Sequence, residues 1–257
     1  MSLWIKICGN TSLADAQLAA ECGADAVGFV FAPSPRRVTP EQAAAIMPHL
    51  PASLEKIGVF VDAPFNEIAS TVETSSLTGV QLHFDAPAEL PAQLRARFGP
   101  GLRILRVIHF VGQETIGENR FVSGHDLSGP PATGLRRWGG LSRADEAKEK
   151  QGALAPTECF SNPNIDAVLV DSLTKKAVGG TGVSYDWAAA STALFQNAKQ
   201  RKLIAAGGLA PHNVAEAIAT LNPWGVDVVS GVESAPGRKD PAKVRAFIAN
   251  ARAAVKG

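Results

Sequence analysis

A thiol and a carboxylate stand at the ends of two apolar segments, at Cys8 and Asp171. Asp171 follows the run Ala167–Val170, where burial favours the protonated carboxyl that a general acid requires. Cys8 closes the segment Trp4–Cys8, and a thiol near arginines can be partly ionised and accept a proton. The ordinary alternatives are a helix-capping aspartate and a small buried cysteine. We expect a catalytic acid at Asp171 and a catalytic base at Cys8.

Two pairs of small residues, Gly207-Gly208 and Ser230-Gly231, end two later apolar segments. Backbone amides at such positions donate hydrogen bonds to phosphate, helped by the positive end of a nearby helix. Either pair alone is explained by a chain that turns from strand to helix. Two pairs on consecutive segments favour phosphate binding by Gly207, Gly208, Ser230 and Gly231.

Other candidate substrate-binding groups are Arg36 and His83. Arg36 follows the stiff segment Pro33–Pro35, which can hold a guanidinium toward a carboxylate or phosphate. His83 is a candidate acid, base or donor, or else a histidine hydrogen-bonded within the strand layer. Asp62 and Glu233 are candidate orienting groups for their neighbours.

The elements that must position these residues follow a regular alternation. Short β-branched runs alternate with amphipathic helical patterns, which is typical of parallel strands joined by crossover helices. The predicted strands span residues 4–8, 25–31, 56–61, 79–84, 103–110, 166–172, 202–208 and 225–231. The predicted helices begin after Ser12, Thr39, Pro64 and Asp240 or lie near 87–98, 142–155, 185–199 and 211–221.

Eight such units in 257 residues favour a (β/α)8 TIM barrel over an open doubly wound sheet. We expect a single domain over residues 1–257. In such a barrel the C-terminal strand ends surround the active site. All the candidates above except Glu233 lie at or just after these ends, and Glu233 follows soon after strand 225–231.

The connection from 111 to 163 is an insertion after strand 5, far longer than the usual loop of about 2 to 6 residues. Its glycines and prolines predict coil, and residues 142–155 are compatible with a capped helix. Because the insertion follows a strand, we expect it over the C-terminal face of the barrel. The alternatives for its role there are a lid over the active site, a surface that binds a partner, or an extra loop without a function.

Composition excludes several classes of function. The chain has 25 basic and 24 acidic residues and 6% aromatics, which disfavours nucleic acid as a partner. No apolar run reaches the roughly 18 residues of a membrane-spanning helix, so no membrane partner is expected. Three irregularly spaced cysteines fit neither a disulfide framework nor a metal site. We expect a cytoplasmic protein without metal.

The residues around the candidates form blocks that resemble phosphoribosylanthranilate isomerase of tryptophan biosynthesis. The blocks cover nearly the whole chain outside the insertion, so the resemblance is specific. They are Lys6–Thr11, Gly23–Phe31 with Ser34–Arg36, Gly58–Val61, Val80–His83, Leu169–Ser172, Gly179–Gly182 with Asp186-Trp187, Ala206–Leu209, and Val226–Ser234 with Lys239–Pro241.

The resemblance implies a cofactor-free Amadori rearrangement of a small phosphosugar, N-(5-phosphoribosyl)anthranilate, in a monomer or homodimer. Asp171 matches the family's general acid and Cys8 its general base. Arg36 matches the arginine that faces the anthranilate part of the substrate. His83 belongs to the expected substrate-binding set, and the two pairs of small residues would hold the phosphate.

The sequence departs from the family pattern at three places. Phe84 stands where glycine commonly follows Gln-Leu-His, Val229 replaces a small polar residue before Ser230-Gly231, and the fifth connection is lengthened. These changes bear on turnover and specificity, since none touches Cys8 or Asp171.

Two alternative functions belong to different classes. The histidine-pathway isomerase performs the same chemistry on a substrate with two phosphates, but it uses paired carboxylates where this chain has Cys8. A non-catalytic protein that binds a phosphate ligand is disfavoured because the acid and base positions are intact.

Overall fold

A computed structural model describes residues 3–83, 86–111, 120–122, 156–172, 187–195 and 201–255. Its strands are β1 Trp4–Ile7, β2 Ala26–Val30, β3 Glu55–Val61, β4 Gly79–His83, β5 Arg103–Val111, β6 Arg120–Val122, β7 Ala167–Ser172, β8 Lys202–Ala205, β9 Gly225–Val228, β10 Glu233–Ala235 and β11 Arg238–Lys239. The eight predicted strands are all present, with shifted ends. The strands β8 and β9 stop earlier than predicted, and the glycine pair that follows β8 has positive φ angles.

Helices alternate with the barrel strands as predicted, except that the helix before β7 is not one of those that the sequence predicted. They are α1 Leu13–Glu21, α2 Pro40–Ile46, α3 Phe65–Thr74, α4 Leu90–Phe98, α5 Pro156–Ser161, α6 Trp187–Ala190, α7 Val214–Leu221 and α8 Pro241–Ala254. Local sequence fixes several starts. The Ser12 hydroxyl accepts from the Asp15 amide, Thr39 and Gln42 form a reciprocal capping box, and Asp240 accepts from two amides of α8.

Eight parallel strands close into a barrel. Their order is β4-β3-β2-β1-β9-β8-β7-β5, and pairing of β4 with β5 completes the ring. The predicted (β/α)8 barrel is therefore confirmed. In the register of β1 and β9, Lys6 lies opposite Asp227, so both side chains point to the same face of the sheet.

The core is divided into two layers by the alternation of side chains along each strand. The larger cluster joins the outer strand faces, including Ile5 and Val226, to the helices. The second cluster fills the barrel and consists of Trp4, Ala26, Ile57, Leu105, Val107, Ala167, Leu169, Ile204 and Ala206. Inward-pointing side chains that lie beyond this apolar layer, toward the C-terminal ends of the strands, therefore face the mouth of the barrel.

The fifth connection contains elements that the sequence did not predict. The short strand β6 pairs antiparallel with β5, with Phe121 opposite Phe110, and α5 precedes β7. The helix predicted over 142–155, the glycine-rich loop 179–182 and Phe84 lie outside the described residues. Within the part of the chain that is described, no helix has the length and apolarity needed to cross a membrane.

Candidate active site

A cleft of about 680 Å³ opens at the C-terminal ends of the barrel strands. Four predicted site residues line it together: Cys8, Arg36, His83 and Asp171. Asp62 also lines the cleft, where it adopts a left-handed backbone with φ of 51°. Residues separated by more than 160 positions in the sequence thus share one cavity, at the face where barrels of this kind carry their active sites.

Cys8 is almost completely buried, with 3% of its surface exposed. Its amide donates to the carbonyl of Val228 at 2.9 Å, which extends the pairing of β1 with β9. Burial raises the pKa of the Cys8 thiol, and Lys6 and Lys239, which lower this pKa, do not offset burial. Desolvation therefore disfavours the thiolate, which is the form of Cys8 that a general base requires.

Asp171 lies on β7, opposite His109 of β5 in the register of the sheet. It is 8% exposed and lines the cleft. Sequence reasoning did not select His109, although it continues the inward parity of Leu105 and Val107. Burial lowers the pKa of His109 to about 4. This histidine is therefore neutral near pH 7.

Arg36 is held over the cleft by Glu233. Its Nε donates to Oε1 of Glu233 at 2.8 Å, and its Nη2 donates to Oε2 at 2.7 Å. Burial raises the pKa of Glu233, but Arg36 and Lys239 offset this and bring the pKa below its usual value. Glu233 is thus ionised at neutral pH and orients the guanidinium, as proposed from the sequence.

Lys239 connects this ion pair to the end of β1. Its Nζ donates to the carbonyl oxygen of Cys8 at 2.5 Å and to Oε1 of Glu233 at 3.2 Å. The hairpin of β10 and β11, which carries Glu233 and Lys239, therefore fixes Cys8 and Arg36 relative to each other. The sequence showed Lys239 only as part of a family block.

His83 contributes to the cleft as a neutral group. Burial lowers its pKa to about 3, and His109, Lys6 and Arg106 contribute in the same direction. Lys6 Nζ donates to Gln81 Oε1 at 2.7 Å, so the Gln81 amide nitrogen faces His83 Nε2 at 2.9 Å. His83 Nε2 is then an acceptor, which favours the predicted hydrogen-bonded histidine over a general acid.

A smaller cavity of about 30 Å³ adjoins the cleft. Gly207, Gly208 and Ser230 line it, and Asp171 lines both cavities. The φ angles of Gly207 and Gly208 are 79° and 65°, a conformation that favours glycine. The two loops therefore lie beside the candidate acid.

The fourth predicted phosphate-binding residue, Gly231, is not among the described residues that line the smaller cavity. A Cβ atom at Gly231 would lie 1.9 Å from the carbonyl oxygen of Leu209. Glycine at this position lets the loops after β8 and β9 approach each other. Asn213 fixes the first loop, because its side chain bonds the Gly208 carbonyl and the Ala210 amide.

In the described part of the chain, no group of three or more histidine, cysteine, aspartate or glutamate side chains is arranged to hold a metal. The arrangement supplies a thiol, a carboxyl and an oriented guanidinium around one cleft, with glycine loops at its side. It can exchange protons with a substrate that carries a carboxylate and a phosphate.

Comparison with known proteins shows the family of this chain. A family model described as N-(5'phosphoribosyl)anthranilate (PRA) isomerase matches residues 5–110 and 145–250. The N-(5'-phosphoribosyl)anthranilate isomerase of Magnetococcus marinus is 39% identical over 258 residues, which cover 100% of this chain and 99% of that protein.

Solved structures show the same likeness. The phosphoribosyl anthranilate isomerase of Thermotoga maritima is 31% identical with a TM-score of 0.71, covering 98% of this chain and 99% of that one. Another phosphoribosyl anthranilate isomerase, solved with reduced 1-(o-carboxyphenylamino)-1-deoxyribulose 5-phosphate, is 28% identical with a TM-score of 0.68 and the same coverage. The chain therefore belongs to the N-(5'-phosphoribosyl)anthranilate isomerase family and is an isomerase of tryptophan biosynthesis.

Proposed function

We propose that the chain converts N-(5-phosphoribosyl)anthranilate to 1-(2-carboxyphenylamino)-1-deoxyribulose 5-phosphate, the third step of tryptophan biosynthesis from chorismate. The observation that carries the proposal is that Cys8 and Asp171 line one cleft and that Asp171 also lines the glycine-bordered cavity. An acid, a base and a phosphate site can thus contact one small substrate.

Asp171 is the general acid. It gives its proton to the furanose ring oxygen while the bond from that oxygen to the anomeric carbon breaks. The lone pair of the anthranilate nitrogen forms the new bond to this carbon, so the open sugar is a protonated Schiff base. A carboxyl that is 8% exposed meets little competition from water for this transfer.

Cys8 is the general base. Its thiolate takes the proton from the sugar carbon next to the Schiff base, and the electrons of that bond form a carbon–carbon double bond and neutralise the nitrogen. The product of this step is an enolamine, which tautomerises to the ketone. Because burial raises the pKa of Cys8, the thiolate must be stabilised by charges near it.

Arg36 binds the carboxylate of the anthranilate part. Glu233 occupies two of its donors, and a guanidinium has five N–H donors in a planar fork, so donors remain for a substrate. The amides of Gly207, Gly208, Ser230 and Gly231 bind the phosphate, and His83 contacts the sugar as a neutral group.

This function needs no cofactor. The phosphoribosylanthranilate isomerase of Thermotoga maritima is dimeric, and monomers of it have been generated. We propose a monomer or homodimer for this chain, located in the cytoplasm and folded as a single barrel domain.

The direct test generates phosphoribosylanthranilate in situ and follows the loss of its fluorescence after addition of the purified chain. We expect rapid loss with the wild type and at least about a hundredfold slower loss with Cys8→Ala and with Asp171→Asn, as for removal of a general base or acid. Circular dichroism must show that both variants are folded. Near-normal turnover in either folded variant would contradict the role of that residue.

A variant with a deletion within 112–155, compared with the wild type, separates the contribution of the insertion to turnover from that of the barrel.

If the folded wild type shows no isomerisation, the proposed function is wrong. The two-phosphate substrate of the histidine-pathway isomerase then becomes the next substrate to assay.

A further inference from the structure

Lys6 is a completely buried lysine to which the proposed reaction gives no role. It lies on β1, two residues before Cys8, and its exposed fraction is 0%. A buried ammonium is costly unless it is paired and hydrogen-bonded. An apolar residue of similar length would fill the same space without this cost, so the charge itself calls for an explanation.

The contacts of Lys6 hold its ammonium in one place. Nζ donates to Oδ1 of Asp227 at 3.1 Å and to Oε1 of Gln81 at 2.7 Å. Both partners are themselves buried, at 5% and 3% exposure. Asp227 comes from the neighbouring strand β9 and Gln81 from β4, so the ammonium is fixed from two other strands of the barrel.

The end of the Lys6 side chain is a neighbour of the Cys8 thiol. A Cβ atom built on Gly28 would lie 2.5 Å from Sγ of Cys8 and 3.0 Å from Cε of Lys6. Both atoms therefore surround one point above β2, and the absence of a side chain at Gly28 leaves room for them. The positive charge of Lys6 therefore acts to lower the pKa of the Cys8 thiol.

Charged groups from several elements face Cys8. Lys6, Lys239 and Arg36 are positive and favour the thiolate, whereas Asp227 opposes it. Asp171 lines the same cleft from β7. On β4, His83 is neutral because its pKa is about 3. Of the positive groups, the Lys6 ammonium is fully buried and is fixed by two hydrogen bonds.

We propose that Lys6 is a positioning residue for Cys8, its ammonium held by Asp227 and Gln81 so that it stabilises the thiolate that removes the substrate's proton. The inference rests on the proposed function. Lys6 keeps its own proton throughout, and only the thiolate gains one. Burial alone would lower the pKa of Lys6, but Asp227 and Cys8 offset burial and raise the pKa above its usual value.

The test measures ionisation of Cys8 without substrate. Cys22 is partly exposed, so the experiments use a Cys22→Ser background, with Cys8→Ser as the blank. Ultraviolet thiolate absorbance and the rate of iodoacetamide alkylation are followed against pH. In Lys6→Met we expect the pKa of Cys8 to rise by at least about one unit, a tenfold loss of thiolate at a given pH. Lys6→Arg, which keeps the charge, should recover most of it.

Lys6→Met leaves Asp227 buried without its partner and is at risk of misfolding. The double variant Lys6→Met/Asp227→Asn removes both buried charges, so the pKa of Cys8 can also be measured without an unpaired Asp227. Its Cys8 pKa should rise less than that of Lys6→Met, because Asp227 opposes ionisation of the thiol. In any variant that retains activity, the acidic limb of the kcat/KM profile should move with the thiol titration.

An unchanged titration in both folded variants would overturn the inference, even if the wild type is an active isomerase, and would leave Lys6 a purely structural residue. A shifted titration in a protein without isomerase activity would instead refute the proposed function and support the coupling of Lys6 to Cys8.

Discussion

Both carboxylate oxygens of Glu233 accept hydrogen bonds from the Arg36 guanidinium, at 2.8 and 2.7 Å. The two residues are far apart in the sequence, and Glu233 belongs to the hairpin of β10 and β11 beyond the last barrel strand. The pair orients a cation that lines the cleft, and it uses only two of the five N–H donors of the guanidinium. The guanidinium is therefore pre-organised before a substrate arrives.

Replacement of Glu233 by glutamine should weaken substrate binding. The variant loses one charge and one of the two matched hydrogen bonds, so Arg36 is oriented less well. We expect KM to rise about tenfold, equivalent to about 1.4 kcal/mol, with a smaller change in kcat. Steady-state kinetics of the fluorescence assay provide both constants. The matched control is Glu73→Gln, which breaks an exposed ion pair with Arg97 and should leave KM unchanged. A KM of Glu233→Gln equal to that of the wild type would contradict the orienting role.

Gly231→Ala should disturb the contact between the loops after β8 and β9. The added Cβ would lie 1.9 Å from the Leu209 carbonyl oxygen, so the backbone must move. We expect a loss of stability of about 1 to 3 kcal/mol and a higher KM. Urea denaturation measures the first effect. Gly101→Ala, where no atom lies within 4 Å of the new Cβ, should be nearly neutral; a Gly231→Ala variant as stable as Gly101→Ala would show that the loops are not closely packed.

Inorganic phosphate should inhibit competitively, because it occupies the site expected for the substrate's phosphate. Gly208→Ala places a side chain at a φ of 65°, which costs about 1 to 2 kcal/mol and distorts the loop. Its inhibition constant for phosphate should be about tenfold higher. Gly23→Ala also places a side chain at a positive φ, 90°, just after α1 and outside the residues that line the cleft, and it should keep wild-type inhibition. Equal inhibition of both variants would place phosphate elsewhere.

Stability should fall on mild acidification because of two neutral histidines. The pKa of His109 is about 4 and that of His83 about 3, against an ordinary value of about 6.5. Between pH 6.5 and 4 the unfolded chain binds protons at these positions and the folded chain does not. The free energy of unfolding should therefore decrease by about 1.4 kcal/mol per pH unit for each histidine. Urea denaturation at pH 7, 6 and 5 measures this free energy. In His109→Gln, the decrease of the free energy of unfolding as the pH falls should be smaller by the contribution of one proton. The same pH dependence in the wild type and in His109→Gln would contradict the low pKa of His109.

Local sequence was sufficient for much of the framework. Ser12, Thr39 and Asp240 begin helices where their capping side chains predicted, because caps act over three residues. The candidates Cys8 and Asp171 were found because strand ends are marked by the change from apolar to polar residues. The strand β6 in the insertion was not predicted, because it forms by pairing with β5, and no local sequence pattern encodes that contact.

The sequence by itself determined the alternation of strands and helices, the barrel and the choice of Asp171, Cys8, Arg36 and the glycine pairs as candidates, because periodicity and strand-end chemistry are local properties. Only the tertiary structure decided which charges surround them. Closure of the ring puts Lys6 beside Asp227 and Gln81, and the terminal hairpin brings Glu233 to Arg36. Ionisation depends on burial and on charges that are distant in sequence, so the raised pKa of the Cys8 thiol could not be inferred from Cys8 and its neighbours alone.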